Sequence, residues 1–194
     1  MEHRTMAKRT MMPIDGRFRV RSGDGAKRIE GYFATFQGEY VYPYGSESVD
    51  PHAFDDCLGD DIRCLTDHDT RLVLGRTKAG TLELRVDEKG LWGSVLINEE
   101  DSDAMNLYAR VERGDVSQCS FGFDILDEEY QNLDDGTVHC ILKKVQLYEV
   151  SCVTFPAYQD TSIEARAQDF ARAKKRALAA WQASMRKRIK RSEN

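Results

Sequence analysis

Several short runs in the first 153 residues alternate between apolar and polar positions, a period of two that is typical of β-strands. Residues 17–21 and 29–36 are two such runs, and the turn-forming residues between them predict an opening pair of strands. Residues 81–86 and 91–97 flank a second turn and predict a β-hairpin. Gly93 lies inside the last run, which indicates close backbone approach or a bulge.

Four further runs continue this pattern. Residues 62–65 and 72–75 predict short strands on either side of a polar turn, and residues 116–125 predict another strand. A longer strand is predicted at 137–153. It follows the acidic stretch 127–136, which we expect to be a loop because it is polar and contains turn-forming residues.

One internal segment has the period of a helix instead. Its apolar residues at helical spacing are Met105, Tyr108 and Val111. Asp101 or Ser102 can cap its N-terminus, and Gly114 is a typical stop signal. We also expect a short helical piece within residues 50–58. The body is therefore predicted to be α+β and mainly β.

The chain from residue 161 onward has a different pattern, rich in Ala, Arg and Lys, and predicts an amphipathic helix. The large apolar residues on one face of this helix are Phe170, Leu178, Trp181, Met185 and Ile189. Such a helix packs on its own domain or on a second copy, or it forms an arm that binds a partner. The sequence leaves these alternatives open.

Composition supports one compact domain with this appended segment, since 41% of the 194 residues are hydrophobic. The net charge of -5 is unevenly divided. Residues 163–194 contain ten basic and three acidic side chains, so the preceding body is strongly acidic. Because phosphate binding depends on clustered Lys and Arg, the acidic body is a poor nucleic-acid platform and only the tail could take that role. We expect no nucleic-acid partner.

The sequence also bears on location. It has no apolar run of about eighteen residues that could cross a bilayer, and its polar start lacks the apolar centre of a secretory signal. Five cysteines without paired spacing indicate reduced thiols rather than disulfides. We therefore expect a soluble, intracellular protein that has no membrane partner.

Three short motifs carry candidate chemistry. Ser120 lies in an apolar, strand-like run, where its hydroxyl is a candidate nucleophile. A serine hydroxyl attacks a carbonyl efficiently only when an imidazole takes its proton and a third group orients that imidazole. His68, between two aspartates, can supply the base, and Glu149, among apolar neighbours, can supply the carboxylate. Together they make a serine hydrolase the hypothesis. The alternatives from the residues alone are a solvated turn for His68 and an exposed edge or a structural salt bridge for Glu149.

Two alternatives use other residues. Cys119 is a rival nucleophile, but adjacent side chains on a strand point to opposite faces, so only one of Cys119 and Ser120 can face the histidine. A zinc site is the second alternative, although the spacing of its candidate ligands is not that of a zinc finger or ribbon. The zinc site would use Cys64, His68, His139 and Cys140.

The order of several motifs resembles that in the prohead (head maturation) proteases of tailed bacteriophages, whose fold is related to the herpesvirus assemblin proteases. The resemblance covers about residues 17–160, and its specificity lies in the order and spacing of the motifs. These motifs are Gly31-Tyr32-Phe33-Ala34 with Phe36, Asp50-Pro51-His52-Ala53-Phe54, His68-Asp69 with Leu74-Gly75, Gly90-Leu91, Ser120-Phe121-Gly122-Phe123, and Glu149-Val150-Ser151 with Pro156-Ala157.

The resemblance implies an assemblin-like closed β-barrel core flanked by helices, in a catalytic domain at 17–160. Composition and hydrophobic pattern add a flexible N-terminus at 1–16 and a basic helical C-terminal tail at 161–194, which the resemblance does not cover. The resemblance implies a serine endopeptidase without a cofactor, in which Ser120 is the nucleophile, His68 the base and Glu149 the third member. Assemblin-type enzymes use a second histidine as third member, and His139 is the nearby candidate for that role.

The resemblance also implies partners. The substrates would be the major capsid protein and scaffold, with self-association and self-cleavage, in the cytoplasm of the bacterial host inside the immature capsid. The alternative is a non-enzymatic capsid assembly or scaffolding protein. That alternative predicts that the three candidate catalytic residues lie far apart or exposed.

Overall fold

A computed structural model describes residues 7–9, 18–23, 25–42, 45–134 and 136–154, and in addition residues 175 and 179. This part of the chain is mainly β and contains one α-helix, α1 (Ser102–Arg113), as predicted. The strands are β1 (Ala7–Arg9), β2 (Arg19–Gly23), β3 (Ala26–Thr35), β4 (Tyr40–Tyr42), β5 (Gly45–Val49), β6 (Arg63–Thr66), β7 (Asp69–Arg76), β8 (Leu82–Val86), β9 (Gly90–Leu96), β10 (Gln118–Asn132) and β11 (Val138–Val153).

The larger of two sheets is organised around β11. Its main path is β1-β10-β11-β5-β4, and β6 also pairs with β11 and carries β7 on its far side. Strand β10 runs antiparallel along one edge of β11, while β5 and β6 pair in parallel with separate parts of the other edge. In this arrangement the start of β6, Arg63, is paired with Glu149, and its end, Thr66, just before the turn that contains His68, is paired with Cys152.

The smaller sheet has the order β2-β3-β9-β8, with every neighbouring pair antiparallel. It contains both strand pairs predicted from the alternating runs. A Cβ atom on Gly93 would lie 2.6 Å from a ring carbon of Phe33, closer than real Cβ atoms approach. The glycine is therefore needed for the predicted close approach.

The helix α1 ends where its sequence signals indicate. The Asp101 carboxylate accepts hydrogen bonds from the amides of Asp103 and Ala104, and Gly114 ends the helix in the left-handed conformation at φ 90°. The buried face of the helix joins apolar residues of both sheets in one core. In that core the Phe121 ring stacks on Phe123 at 4.8 Å between centroids, which fixes the start of β10.

Two predicted elements were wrong. The acidic stretch 127–136 is not a loop throughout, because β10 continues to Asn132 and its last residue pairs with Val138. Polar composition indicated a loop there, but backbone pairing with β11 decides the conformation. Residues 51–59 form successive turns rather than a helical piece, with the amide of Cys57 bonded to the carbonyl of Phe54, three residues earlier.

No closed barrel is found among the described residues, which form the two sheets above. The predicted helical tail at 161–194 lies outside the described residues, apart from positions 175 and 179. Within the predicted flexible terminus at 1–16, residues 7–9 form β1. In the described ranges there is no helix of the length and apolarity needed to cross a membrane.

Candidate active site

His68 occupies the two-residue turn that joins β6 to β7. Thr66 and Asp69 are paired across this hairpin, and Asp67 and His68 have positive φ angles of 48° and 61°. Positive φ at both central residues is the geometry of a type I′ hairpin turn. Each non-glycine residue in this conformation costs about 1–2 kcal/mol, so the position of His68 is held against local strain.

Asp67 offsets this strain by tying the turn to the end of β11. Its amide donates to the carbonyl of Cys152 at 2.9 Å. Its carboxylate accepts from the Thr154 amide at 2.7 Å and from the Thr154 hydroxyl at 3.2 Å. The turn is therefore attached to β11 by main-chain and side-chain bonds, and His68 is positioned relative to that strand.

The His68 imidazole meets the Glu149 carboxylate inside the protein. The His68 Nδ1–H donates to Glu149 Oε1 at 2.6 Å, and the two side chains are 6% and 5% exposed. Because a carboxylate only accepts hydrogen bonds, this contact places the proton of the neutral ring on Nδ1. The Nε2 atom then has its lone pair available, as a general base requires.

Ser151 holds the second oxygen of the same carboxylate. Its hydroxyl donates to Glu149 Oε2 at 2.6 Å, and the residue is fully buried. Both oxygens of Glu149 are thus engaged, one by a ring nitrogen and one by a hydroxyl. Such a carboxylate has a fixed orientation, which in turn fixes the plane of the imidazole.

Ser120 lies on the neighbouring strand and on the same face. In the β10–β11 ladder Ser120 is paired with Ser151, and Gly122 with Glu149. Directly paired residues project from one face with Cβ atoms about 4.5–5.5 Å apart, and diagonal neighbours are about 7–8 Å apart. Ser120 is therefore diagonal to the carboxylate that holds His68. It is also fully buried.

Two buried polar atoms of this region have no hydrogen-bond partner. One is His68 Nε2, and the other is Oε1 of Gln118, which precedes Ser120 by two residues and so shares its face. Buried polar atoms are normally satisfied, so these two atoms retain hydrogen-bonding capacity for groups of a bound molecule.

Cys119 faces the opposite side of the sheet, as the strand geometry predicted. Its thiol donates to the carbonyl of Tyr32 at 2.9 Å, and burial raises the pKa of the thiol to about 12. A thiol with this pKa stays protonated near neutral pH, whereas the thiolate is the nucleophilic form. Cys119 is thus a poorer candidate nucleophile than Ser120.

His139 is not brought to the site. Its two ring nitrogens contact the hydroxyls of Ser46 and Ser48 on β5, at 2.6 and 2.8 Å. It precedes Glu149 by ten residues on one strand, about 33 Å along β11 at the usual rise per residue. The structure therefore places His139 in a separate polar contact and brings Glu149, rather than His139, to His68.

The zinc alternative also finds no support. In the ranges that the structure describes, no three His, Cys, Asp or Glu residues form a group that could hold a metal ion. The scaffolding alternative predicted separated or exposed residues, whereas the described His68 and Glu149 are buried and in contact. Ser151 was missed from the sequence, although its spacing of two from Glu149 on a predicted strand places both on one face.

Comparison with known proteins agrees with the resemblance seen in the sequence. Residues 16–176 match the model of the family described as caudovirus prohead serine protease. The prohead protease of Enterobacteria phage HK97 is 31% identical over 150 residues, which cover 74% of this chain and 62% of that protein. The prohead protease of Escherichia phage T5 is 34% identical over 95 residues, covering 49% of this chain and 41% of that protein.

The chain thus spans less than two thirds of the length of either relative. No solved structure gives a significant match. The family predicted from the order of the motifs is confirmed by the match over 16–176.

Proposed function

Because the chain belongs to the caudovirus prohead serine protease family, we propose that it is a serine endopeptidase whose catalytic residues are Ser120, His68 and Glu149. One observation carries the assignment of residues. The buried His68–Glu149 pair leaves Nε2 unpartnered, and Ser120 projects from the same sheet face at a diagonal position. This is the set of roles that acyl transfer by a serine requires.

In the proposed reaction the Ser120 Oγ attacks the carbonyl carbon of a peptide bond while His68 Nε2 accepts the hydroxyl proton. The tetrahedral intermediate collapses to an acyl-enzyme ester, and the same proton passes from Nε2 to the departing amine. Water then attacks the ester with His68 again acting as base, which releases the carboxylic acid and restores the serine. Glu149 keeps the proton on Nδ1 and stabilises the imidazolium that forms at each step.

We propose that the substrates are the major capsid protein and scaffold of a tailed phage, and that the enzyme also cleaves itself. The names of the HK97 and T5 relatives support this, since both are prohead proteases. Action would take place in the host cytoplasm, inside the immature capsid. Residues 17–160 would form the catalytic domain with an assemblin-like barrel, and the basic tail at 161–194 would direct the enzyme to an acidic scaffold surface.

The test is co-expression of the chain with the neighbouring major capsid protein, followed by intact-mass analysis of both proteins. Discrete truncations are expected with the unchanged chain and not with Ser120→Ala. Ser117→Ala is a matched control, because Ser117 precedes β10 and is only half-buried. That variant should cleave normally.

Identical, untrimmed masses with the unchanged chain and with Ser120→Ala, from particles shown to have assembled, would contradict the proposal. They would favour the non-enzymatic assembly role. Truncations that persist with Ser120→Ala would keep a protease but exclude Ser120 as its nucleophile.

A further inference from the structure

The edge of β10 next to Ser120 carries a strand that the sequence did not predict. Strand β1 pairs antiparallel with β10 through Ala7 with Phe123, Lys8 with Gly122, and Arg9 with Phe121. The next residue of β10 in this direction is Ser120. In the described part of the larger sheet β1 is the outermost strand, so without it β10 would be the edge.

The pairing does not depend on an apolar sequence. Strand β1 consists of one alanine and two basic residues, and the surrounding segment has no strand-like period. Main-chain hydrogen bonds are therefore the common feature of the contact, and any extended polypeptide can offer them. An edge that binds through the main chain suits an enzyme that must accept segments of several different proteins.

Extended peptides commonly bind by adding a strand to a sheet edge, and the β10 edge beside the proposed nucleophile offers one. Resting on the proposed function, we propose that β1 occupies the β10 edge from Phe121 to Phe123 in cis and competes there with the substrate polypeptide. A substrate peptide that pairs with β10 in the register of β1 would form the ladder through the residues that precede its cleaved bond. The peptide residue that follows the one opposite Phe121 would be the first to pass Ser120.

The short length of β1 suits this competition. A strand of three residues is well suited to leave reversibly, because it adds few hydrogen bonds and isolated short strands are marginal in water.

The first experiment measures binding and needs no catalysis. In the Ser120→Ala background, a fluorescent peptide with the sequence of residues 4–12 is titrated into three chains. The chains begin at Met1, at Ala7, which retains β1, and at Met11, which lacks it. The peptide should bind the chain that begins at Met11 at least about tenfold more tightly than the other two, a difference of about 1.4 kcal/mol.

The second experiment measures cleavage of purified major capsid protein by the active forms of the same chains. Removal of β1 should increase the cleavage rate at least about tenfold, the chain beginning at Ala7 should match the full chain, and the 4–12 peptide should raise KM without changing kcat. A full chain with Ala7→Pro and Lys8→Pro provides a variant with few changes. Alternate residues of an antiparallel strand bond to the partner, so one of the two prolines removes a ladder donor.

The outcomes separate the two proposals. Equal peptide binding with and without β1, or cleavage that does not increase in folded chains, would overturn the role of the β10 edge. Failure of both the shortened and the proline chains to fold, judged by circular dichroism and Tm, would also overturn it, since β1 would then be a permanent strand. If no chain cleaves in a Ser120-dependent manner while peptide binding behaves as expected, the proposed catalysis fails and the binding edge remains.

Discussion

Ser151→Ala tests whether the geometry of Glu149 matters for catalysis. The substitution removes the hydroxyl that donates to Glu149 Oε2 at 2.6 Å within a fully buried part of β11. Hydrogen bonds to charged groups contribute about 1.5–3 kcal/mol, and the oxygen left behind cannot reach bulk water. We expect the free energy of unfolding to fall by about 2 kcal/mol, which lowers Tm by about 4–8 °C in a chain of this size.

The same change should lower kcat. With one oxygen released, Glu149 is held only by His68, so the imidazole has more rotational freedom about the orientation that the carboxylate gives it. A loss of about 1.4 kcal/mol in transition-state stabilisation corresponds to a tenfold lower kcat. KM should be unchanged, because the hydroxyl of Ser151 donates to the Glu149 carboxylate and is not proposed to contact the substrate. Steady-state cleavage of purified capsid protein gives both constants.

Ser94→Ala is the matched control. Ser94 is also buried and its hydroxyl donates to a carboxylate, Glu30 Oε1, at 3.0 Å, but it lies in the smaller sheet. Its loss should reduce stability and leave kcat unaltered. If Ser151→Ala reduces stability and retains full kcat, as the control does, Ser151 has no part in positioning Glu149 and the reasoning is refuted.

Three further outcomes are expected. Glu149→Gln should lower kcat by about 10²–10⁴-fold without loss of fold, because an amide stabilises the Nδ1–H tautomer and the imidazolium of His68 less well than a carboxylate does. Cleavage kinetics near those of the unchanged chain would exclude Glu149 as the third catalytic residue. Asp67→Ala should lower the free energy of unfolding in urea by about 1–2 kcal/mol, since the Thr154 amide and hydroxyl lose their acceptor; an unchanged urea midpoint would show that the turn is held by other contacts. Cys119 should resist iodoacetamide in the folded chain at mildly alkaline pH and react after unfolding, because burial raises the pKa of its thiol to about 12. Modification of Cys119 in the folded protein, detected by mass spectrometry, would contradict this.

Elements with short-range signals were predicted well from the sequence. The helix α1 combines an acidic cap, apolar residues at helical spacing and a terminal glycine, all within fourteen residues. The β8–β9 hairpin combines two alternating runs with a tight turn. In both cases, the residues that determine the conformation lie within the element itself.

Elements that depend on a distant partner were not predicted. The acidic part of β10 looks like a loop in isolation, and only its ladder with β11 makes it a strand. The sequence of β1 has no strand-like pattern. This segment is a strand because the edge of β10 supplies the hydrogen-bonding groups that order it. The parallel pairing of β5 and β6 with one edge of β11 likewise cannot be predicted from the sequence pattern of any single strand.

The candidate site shows the same division. The residue types and the resemblance were enough to name His68, Ser120 and Glu149. They did not reveal the left-handed turn at His68, whose strain is offset by a bond from Asp67 to a residue 87 positions away. The alternation of side chains along a strand predicts that Ser151 shares a face with Glu149. Its role is visible only in the structure, where its hydroxyl donates to the Glu149 carboxylate.

The distance in sequence between His68 and Glu149, 81 residues, has a consequence for the order of events during protein synthesis. The two groups meet through the parallel pairing of β6 with β11, and β11 is the last strand of the described chain. A nascent chain that has emerged only as far as Ser120 already contains the proposed nucleophile and base, but not the carboxylate that orients the base. The proposed protease therefore lacks its complete site throughout most of its translation, and polypeptides being made nearby are not exposed to cleavage until folding is nearly finished.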